Sequence, residues 1–318
     1  MSKLMNMTQE QVTNAVIMVR PVAFRMNEQT AINNYFQEKL KLDNAKINRL
    51  AQEEFDAFVK VLRDAGIHVL VLDDDIVLDT PDSIFPNNWV STHKNGDIAV
   101  YPMYAENRRK ERRDAFFLKL EDEGYIINNI VDYTAAEEED VFLEGTGSIV
   151  LDRANEKAYC ALSPRADEAL FIEFCEDFGY FPVIFTANQT VDGKRLPIFH
   201  TNVMMCVAQQ FCVICLDTID DKKERKLVIE HLKDSGKQII AITEEQMDHF
   251  AGNMLQLNND IGDDFLVMSK AAHESLTEKQ VETIQKYCKI LSSDLHIIES
   301  CGGGSARCMM AEVFLPRK

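Results

Sequence analysis

The sequence has no long apolar stretch. Its longest runs of hydrophobic residues, such as 203–208, are far shorter than the roughly 20 residues that cross a bilayer as a helix. The first residues, Met-Ser-Lys-Leu-Met-Asn-Met-Thr, have no apolar core of the kind that a secretory signal requires. We therefore expect no contact with a membrane and a cytoplasmic location.

Positive charge is also scarce. The 318 residues include 34 lysines and arginines against 52 aspartates and glutamates, which gives a formal net charge of −18. A general nucleic-acid-binding protein needs a basic face to meet the phosphates. The charge balance therefore argues against a nucleic-acid partner.

A disulfide framework and a metal site are both disfavoured. The eight cysteines are few for the length of the chain and irregularly spaced. Cys212 and Cys215 have the C-x-x-C spacing, but they lie in a predicted strand, where residues three apart face opposite sides. Asp73, Asp74 and Asp75 are adjacent but lack further ligand spacing, so they are weak evidence for a cation. We expect reduced thiols, no metal and no cofactor.

No low-complexity linker divides the chain, and no sequence repeat is visible. Short predicted strands alternate with helices at intervals of roughly sixty residues, which is longer than the period of most solenoids. A single α/β domain over residues 1–318 is the simplest interpretation.

Hydrophobic periodicity and capping residues predict the individual elements. The predicted helices lie at 31–41, 45–65, 107–120, 164–178 (with Ser163 as N-cap), 222–235, 244–250 and 277–291. The predicted strands lie at 15–19, 68–72, 89–93, 98–101, 125–130, 149–151, 158–161, 182–185, 201–207, 211–216, 239–242, 265–268 and 295–298.

The most unusual stretch is 299–312, in which three adjacent glycines (302–304) precede Cys308. Adjacent glycines are tolerated where the backbone needs positive φ or must approach another group closely. A thiol just beyond such a loop is well placed to be a nucleophile, and a buried structural cysteine is an equal alternative. Thiol catalysis also needs a base and an orienting group, which His200 and Glu144 would supply if folding brought them together.

Four short motifs, taken in order, resemble the guanidino-group-modifying (pentein) superfamily, which includes arginine deiminase, dimethylargininase and the amidinotransferases. The motifs are Asn-Trp-Val-Ser-Thr-His (88–93), Glu-Gly-Thr-Gly (144–147), His-Thr-Asn (200–202) and Gly-Gly-Gly-Ser-Ala-Arg-Cys-Met (302–309). Segments 85–93 and 101–109 are similar to an amidinotransferase-like, arginine-deiminase-related branch that includes a bacterial citrulline-utilisation hydrolase. The resemblance implies a five-bladed α/β propeller made of pseudo-fivefold ββαβ units.

The resemblance also implies catalytic roles. Cys308 would attack the central carbon of a guanidinium or ureido group and form a covalent adduct. His200 would protonate the leaving group and then activate water, and Glu144 would orient His200. The implied substrate is a small amino acid.

Two arginines occupy positions where deiminases bind the α-carboxylate of the substrate. They are Arg109, on the helix after the first motif, and Arg165, in Ser-Pro-Arg. The planar fork of a guanidinium suits a carboxylate. Arg108 is a near-equal choice for the role given to Arg109.

Departures from the deiminase pattern suggest a different substrate. Asn88, His93 and Asn202 are the predicted contacts to the reacting group, and deiminases have aspartates where this sequence has His93 and Asn202. Gly147 replaces a further acid. Burying a cation without carboxylates costs several kcal/mol, whereas amides and imidazole can hydrogen-bond a neutral ureido group. We predict hydrolysis of citrulline to ornithine, ammonia and carbon dioxide.

Other interpretations stay open. His200 alone could be a strand-edge histidine, Glu144 a turn acid, and His93 an aromatic-packed surface histidine. An arginine-deiminase reaction, transfer of an amidino group to an amine, and a non-catalytic propeller are the alternative functions. A homodimer is the default expectation for the assembly.

Overall fold

The main sheets share one internal order, in which a first strand pairs antiparallel with a second and the second pairs parallel with a third. The computed structural model describes residues 10–318. The N-terminal residues for which we predict no targeting signal lie outside this range. The strands are β1 (Ala15–Arg20), β2 (His68–Asp73), β3 (Val90–Thr92), β4 (Asp97–Val100), β5 (Asn129–Asp132), β6 (Ile149–Asp152), β7 (Lys157–Leu162), β8 (Phe181–Thr186), β9 (Asn188–Val191), β10 (Lys194–Pro197), β11 (Met205–Val207), β12 (Phe211–Ile214), β13 (Gln238–Ala241), β14 (Leu255–Asn258), β15 (Asp264–Ser269), β16 (Lys289–Ser293) and β17 (Ala311–Glu312).

Helices lie in the connections between the strands, most of them between two parallel strands of one blade. They are α1 (Asn44–Asp64), α2 (Asp114–Asp122), α3 (Gly145–Ser148), α4 (Glu168–Phe178), α5 (Lys222–Asp234), α6 (Glu244–Asp248), α7 (Lys270–Ser275), α8 (Glu278–Ile284) and α9 (His296–Gly302). Short 3-10 helices lie at Pro86–Asn88, Glu106–Glu111, Thr134–Glu139, Arg153–Asn155, Thr201–Val203 and Leu216–Thr218. Parallel neighbours require such crossovers, because a tight turn can join only antiparallel strands.

The predicted five-bladed α/β propeller is confirmed. Its blades are the sheets β17-β1-β2, β3-β4-β5, β6-β7-β8, β11-β12-β13 and β14-β15-β16, and β9 and β10 form a separate hairpin. Within each blade a helical crossover joins the second strand to the third, which gives the predicted ββαβ unit. First strands of neighbouring blades contact one another, for example β17 with β3 and β6 with β11.

The C-terminal strand completes the first blade. β17 pairs antiparallel with β1, with Ala311 opposite Ile17 and Glu312 opposite Val16. This pairing closes the ring of blades between the two ends of the described chain. It also fixes the segment that carries Cys308 against the start of the propeller.

Helix α1 shows how the crossovers are held. The Asp43 side chain accepts a hydrogen bond from the backbone N–H of Lys46, which caps the helix. Phe55, Phe58 and Leu62 recur at helical spacing and are buried against the sheets. Burial of each stabilises the fold by roughly 2 kcal/mol. The helix predicted at 45–65 is therefore confirmed.

Several predicted elements are wrong. Residues 31–41 form turns and no helix, because the Asn34 side chain accepts a hydrogen bond from the Phe36 N–H and donates to the carbonyls of Gly302 and Gly303. The helix predicted at 107–120 is broken at Arg112 and Arg113, which are extended. Arg112 donates instead to Glu137 and to the carbonyl of Tyr101.

Other boundaries move as well. Ser163 begins a turn, and Asp167 is the residue that caps α4. The helix predicted at 277–291 is α8 followed by strand β16, and the strand predicted at 295–298 is the start of α9. Strand β14 was not predicted at all, since its alternation is short and follows a glycine-containing turn.

All eight cysteines are unpaired and buried. Within residues 10–318 no helix combines the length and the apolar character that a membrane crossing would need.

Candidate functional site

The loops that precede the first strands carry most of the predicted site residues. Asn88 lies before β3, Glu144 before α3 and β6, Asn202 before β11, and Cys308 before β17. Because equivalent ends of the first strands meet at one end of a propeller, these loops come together. We call Asn88, Glu144, His200, Asn202 and Cys308 the loop cluster.

Glu144 and His200 form a buried pair, as the predicted roles require. The distance from Glu144 Oε2 to His200 Nε2 is 2.7 Å, and Arg165 Nη1 lies 3.4 Å from the same oxygen. The backbone N–H of Tyr104 donates to Glu144 Oε1 at 3.0 Å. Burial favours the neutral acid, but Arg165 and His200 outweigh it and hold the pKa of Glu144 well below its usual range. Glu144 is therefore an anion.

His200 is neutral at physiological pH in this arrangement. Burial lowers the pKa of its imidazole to about 4, although the hydrogen bond to Glu144 opposes the shift. Because the Glu144 carboxylate can only accept, Nε2 carries the proton and Nδ1 is left as the basic nitrogen. His200 can thus take up a proton at Nδ1 and release it again.

Cys308 lies against two amide side chains. Its Sγ is 3.6 Å from Asn202 Nδ2 and 3.2 Å from Asn253 Nδ2, and the residue is 3% exposed. Among residues 10–318 no hydrogen bond joins Cys308 to His200.

The glycine run before Cys308 has the expected geometry. Gly303 ends α9 with a φ of +61°, and a Cβ on Gly302 would lie 2.7 Å from the Phe85 ring. Side chains at these positions would displace either the backbone or Phe85. The glycines thus allow the loop to pack tightly and set the position of Cys308.

Gly147 leaves no room for the acid that deiminases carry there. A Cβ at this position would lie 2.5 Å from Asn88 Nδ2 and 2.9 Å from Nδ1 and Cε1 of His200. Asn88 and the imidazole therefore fill the space that an aspartate would need. The loss of this carboxylate is built into the packing of the loop cluster.

A Gly147→Ala variant tests this packing. We expect it to lose about 2 kcal/mol of unfolding free energy through overpacking, and about a hundredfold in activity because the imidazole shifts. Chemical denaturation and steady-state rates measure the two effects. Gly193→Ala is the control, since nothing lies within 4 Å of its Cβ position and only the strain of its φ of +74° is added. Equal activity in both variants would contradict the assigned packing.

The structure reverses the choice between two adjacent arginines. Arg108 is buried, and its Nη1 donates to Asn88 Oδ1 at 2.7 Å. Arg109 points away from the loop cluster, donates to the carbonyl of Met103 and lies 3.5 Å from Glu137. Of these two, Arg108 is therefore the one whose guanidinium contacts the loop cluster.

Arg108 is already paired with protein groups. Glu111 accepts two hydrogen bonds from it, each 2.9 Å long, and Asp82 lies 3.9 Å away. Its guanidinium is thus largely neutralised, and it orients Asn88.

His93 lies outside the loop cluster, contrary to the prediction. It follows β3 at the end opposite to Asn88, and a three-residue strand spans about 10 Å. Its Nε2 is 2.9 Å from Ser91 Oγ, and its ring stacks on Phe178 with centroids 4.0 Å apart. Burial lowers its pKa well below the usual value. His93 packs against an aromatic ring, as the alternative interpretation of the sequence predicted, but it is buried and does not lie on the surface.

Residues 21–42, which we call the covering segment, lie over the loop cluster. The Arg165 Nε donates to Asn33 Oδ1 at 2.9 Å, and its Nη2 donates to the carbonyl of Thr30 at 2.9 Å. Asn34 Nδ2 donates to the carbonyl of Gly302 at 3.2 Å. The predicted residue Arg165 is therefore at the site, and its guanidinium is occupied by the covering segment.

Asp82 is a buried acid at the site that the motifs did not reveal. Its Oδ2 accepts hydrogen bonds from Asn27 Nδ2 at 2.8 Å and from the Thr30 hydroxyl at 3.1 Å, while Oδ1 has no hydrogen-bond partner. Burial raises its pKa, although Arg108 opposes the shift. The only signal in the sequence is its place three residues before the Phe-Pro-Asn-Asn stretch.

No metal site accompanies these residues. Between residues 10 and 318, no group of three or more histidine, cysteine or acidic side chains is arranged to hold an ion. Of the three adjacent aspartates, Asp74 accepts from Thr80 Oγ1 and lies 3.6 Å from Arg113.

The chain matches one family model and several solved structures. The model of the family described as N,N dimethylarginine dimethylhydrolase, eukaryotic, matches residues 20–315. No curated protein matches the chain. At the identities below, likeness to solved structures extends to the fold.

The cyanobacterial arginine dihydrolase ArgZ of the ornithine-ammonia cycle is 16% identical with a TM-score of 0.72, and the match covers 95% of this chain but 41% of ArgZ. The N-terminal domain of ArgZ bound to substrate is 14% identical with a TM-score of 0.70, over 95% of this chain and 99% of that domain. A dimethylarginine dimethylaminohydrolase, as an adduct with S-methyl-L-thiocitrulline, is 15% identical with a TM-score of 0.63, over 94% and 99%.

Proposed function

Since the chain belongs to the N,N dimethylarginine dimethylhydrolase family, we propose that it hydrolyses a C–N bond in the side chain of an arginine-like amino acid through a cysteine adduct. The observation that carries this proposal is the loop cluster, in which His200 is paired with the buried Glu144 carboxylate and Asn202, two residues after His200, lies against Cys308. Cysteine, a general base and a group that orients the base are the parts that such covalent catalysis requires.

The proposed chemistry uses these three side chains in turn. Cys308 Sγ attacks the central carbon, and its proton reaches His200 Nδ1 through the bound substrate. His200 then protonates the departing nitrogen. In the second half it takes a proton from water, which attacks the adduct and frees the thiol. Glu144 stays ionised, holds the imidazole and stabilises its protonated form.

The amino-acid end of the substrate has two opposite charges to satisfy. Arg165 offers a fork for a carboxylate, and Asp82 offers a carboxylate with an unpaired oxygen for an ammonium. The covering segment now supplies an amide oxygen and a carbonyl to Arg165, and an amide N–H and a hydroxyl to Asp82. Substrate would take the place of these contacts, so binding includes an opening of the covering segment.

We propose citrulline as the substrate, because the loop cluster offers amides to the reacting group. Asn202 Nδ2 lies 3.6 Å from Cys308 Sγ, and Asn88 and His200 both pack against Gly147. Glu144 is already paired with His200 and Arg165. A neutral ureido group can use amide hydrogen bonds, whereas a buried guanidinium needs an unpaired carboxylate. Water and citrulline would give ornithine, ammonia and carbon dioxide.

Arginine is the second candidate. The family description names a methylated arginine, and ArgZ is described as an arginine dihydrolase. With arginine, attack by Cys308 would release ammonia and leave an amidino (thiouronium) adduct, which one water would convert to citrulline. A second attack, on that citrulline, would be needed to reach ornithine.

A panel of citrulline, arginine, methylated arginine, agmatine and succinylarginine distinguishes these candidates. We expect ammonia and ornithine from citrulline at a rate at least tenfold above that from arginine, since a lost charge pair costs at least about 1.4 kcal/mol. Adding glycine as an amine acceptor tests for amidino transfer, and we expect no new product. Ready deimination of arginine with no release of ornithine from citrulline would contradict the substrate assignment.

The remaining expectations about the whole protein are proposals as well. They comprise one catalytic domain, a cytoplasmic location with reduced thiols, and a homodimer.

A further inference from the structure

Asn253 takes the place in the fifth blade that the other site residues take in theirs. It lies two residues before β14, as Asn88 lies two residues before β3. The side chain is fully buried, and its Nδ2 is 3.2 Å from Cys308 Sγ. The roles proposed above for Cys308, His200 and Glu144 do not involve this contact between Asn253 and Sγ.

The backbone groups around Asn253 fix the orientation of its carboxamide. The Arg307 N–H can only donate, and it lies 3.0 Å from Asn253 Oδ1. The Asn202 carbonyl can only accept, and it lies 3.0 Å from Nδ2. Exchanging the oxygen and nitrogen would place like groups against each other at both contacts. The remaining N–H of Nδ2 is therefore the one that faces Sγ.

The same carboxamide also fixes the position of Sγ. It accepts a hydrogen bond from the backbone N–H of Arg307, the residue before Cys308, and donates one to the carbonyl of Asn202. It therefore links the loop that carries Cys308 to the neighbouring blade. The thiol is buried, and an anion in such surroundings needs hydrogen-bond donors. Asn202 Nδ2 is the more distant donor, at 3.6 Å, and is also bonded to the carbonyl of Thr146.

We propose that Asn253 is a positioning residue that donates a hydrogen bond to Cys308 Sγ and stabilises its thiolate. This inference rests on the proposed function only in taking Cys308 as the nucleophile. A donor to the charged form favours that form, so its removal raises the pH at which the thiolate appears.

Two variants test the donor. In Asn253→Ala the whole carboxamide is lost, and in Asn253→Asp an oxygen remains for the Arg307 N–H while the donor to Sγ is replaced by an acceptor. The readout is the rate of iodoacetamide labelling of the Cys308 peptide against pH, followed by mass spectrometry without substrate. We expect the midpoint to rise by about one pH unit or more in both, which is about tenfold slower labelling at neutral pH.

The control is Asn259→Ala. Asn259 also bonds backbone groups, at Ala65, Ile261 and Asp263, but it lies in the hairpin between β14 and β15. It should lower the melting temperature and leave the labelling midpoint unchanged. If Asn253→Ala does not fold, Asn253→Asp decides the matter. A wild-type midpoint in a folded Asn253 variant would overturn the proposal. Because no substrate is used, this outcome is separate from a failure of the protein to hydrolyse citrulline.

Discussion

A Cys308→Ala variant should lose activity on every substrate of the wild-type protein by about four orders of magnitude or more, because no other group can form the adduct. Its melting temperature should stay close to that of the wild type. The side chain is small, and its Sγ contacts amides whose other hydrogen bonds to backbone groups remain. Ammonia release and thermal denaturation measure the two quantities.

Cys301→Ala is the matched control. Cys301 lies in α9, in the segment that leads to Cys308, and it is also buried. Burial raises the pKa of its thiol to about 11, so it remains protonated and unreactive at neutral pH. This variant should keep its activity. A Cys308→Ala protein that turns over citrulline at an appreciable rate would remove Cys308 from the mechanism.

Glu144→Gln should have the second-largest effect, on both activity and stability. Without the carboxylate, Arg165 is left as a buried charge without its partner, which costs about 3 kcal/mol of unfolding free energy. The same anion raises the pKa of His200 against burial, so its loss lowers that pKa further. A less basic imidazole takes up the proton poorly, and kcat should fall by about a thousandfold.

Glu137→Gln controls for the loss of a partly buried ion pair near the same loop. Its Oε1 accepts the N–H of Met103, as Glu144 accepts the N–H of Tyr104, and it pairs with Arg112. This variant should lose stability without a comparable loss of kcat. If both variants lost kcat to the same extent, Glu144 would have only a structural role.

The pH dependence of stability follows from His200. Its pKa is lower in the folded protein, at about 4, than the 6.5 of a free imidazole. Between pH 4 and pH 6.5 the imidazole is therefore protonated in the unfolded chain and neutral in the folded protein. As a result, the free energy of unfolding falls as the pH is lowered from about 6.5 toward 4.

The local motifs predicted the catalytic pair of the site correctly, but they did not predict which residues surround it. The pairing of His200 with Glu144 could be expected because both residues are parts of short motifs in a familiar order. Arg108 and Arg109 could not be separated, since adjacent residues in an irregular 3-10 turn point in directions that depend on tertiary contacts. Here the decisive contacts are to Asn88 and Glu111.

Two parts of the site, Asn253 and the covering segment, could not be predicted from local sequence patterns. Asn253 escaped notice because β14 was not predicted, and its role depends on the closing of the ring by β17. The covering segment was predicted in part as a helix, since its apolar residues recur at helical spacing. Its actual shape is set by polar side chains that meet Arg165, Asp82 and the glycine loop across the chain. Such long-range partners leave no trace in a window of neighbouring residues.

The mass of the Cys308 peptide after acid quenching during turnover tests most directly whether Cys308 forms a covalent adduct with citrulline. We expect a thiocarbamate on Cys308, and its mass shows whether ammonia or ornithine leaves first. Citrulline turnover with an unmodified Cys308, or an adduct that forms from arginine and never from citrulline, would contradict this expectation.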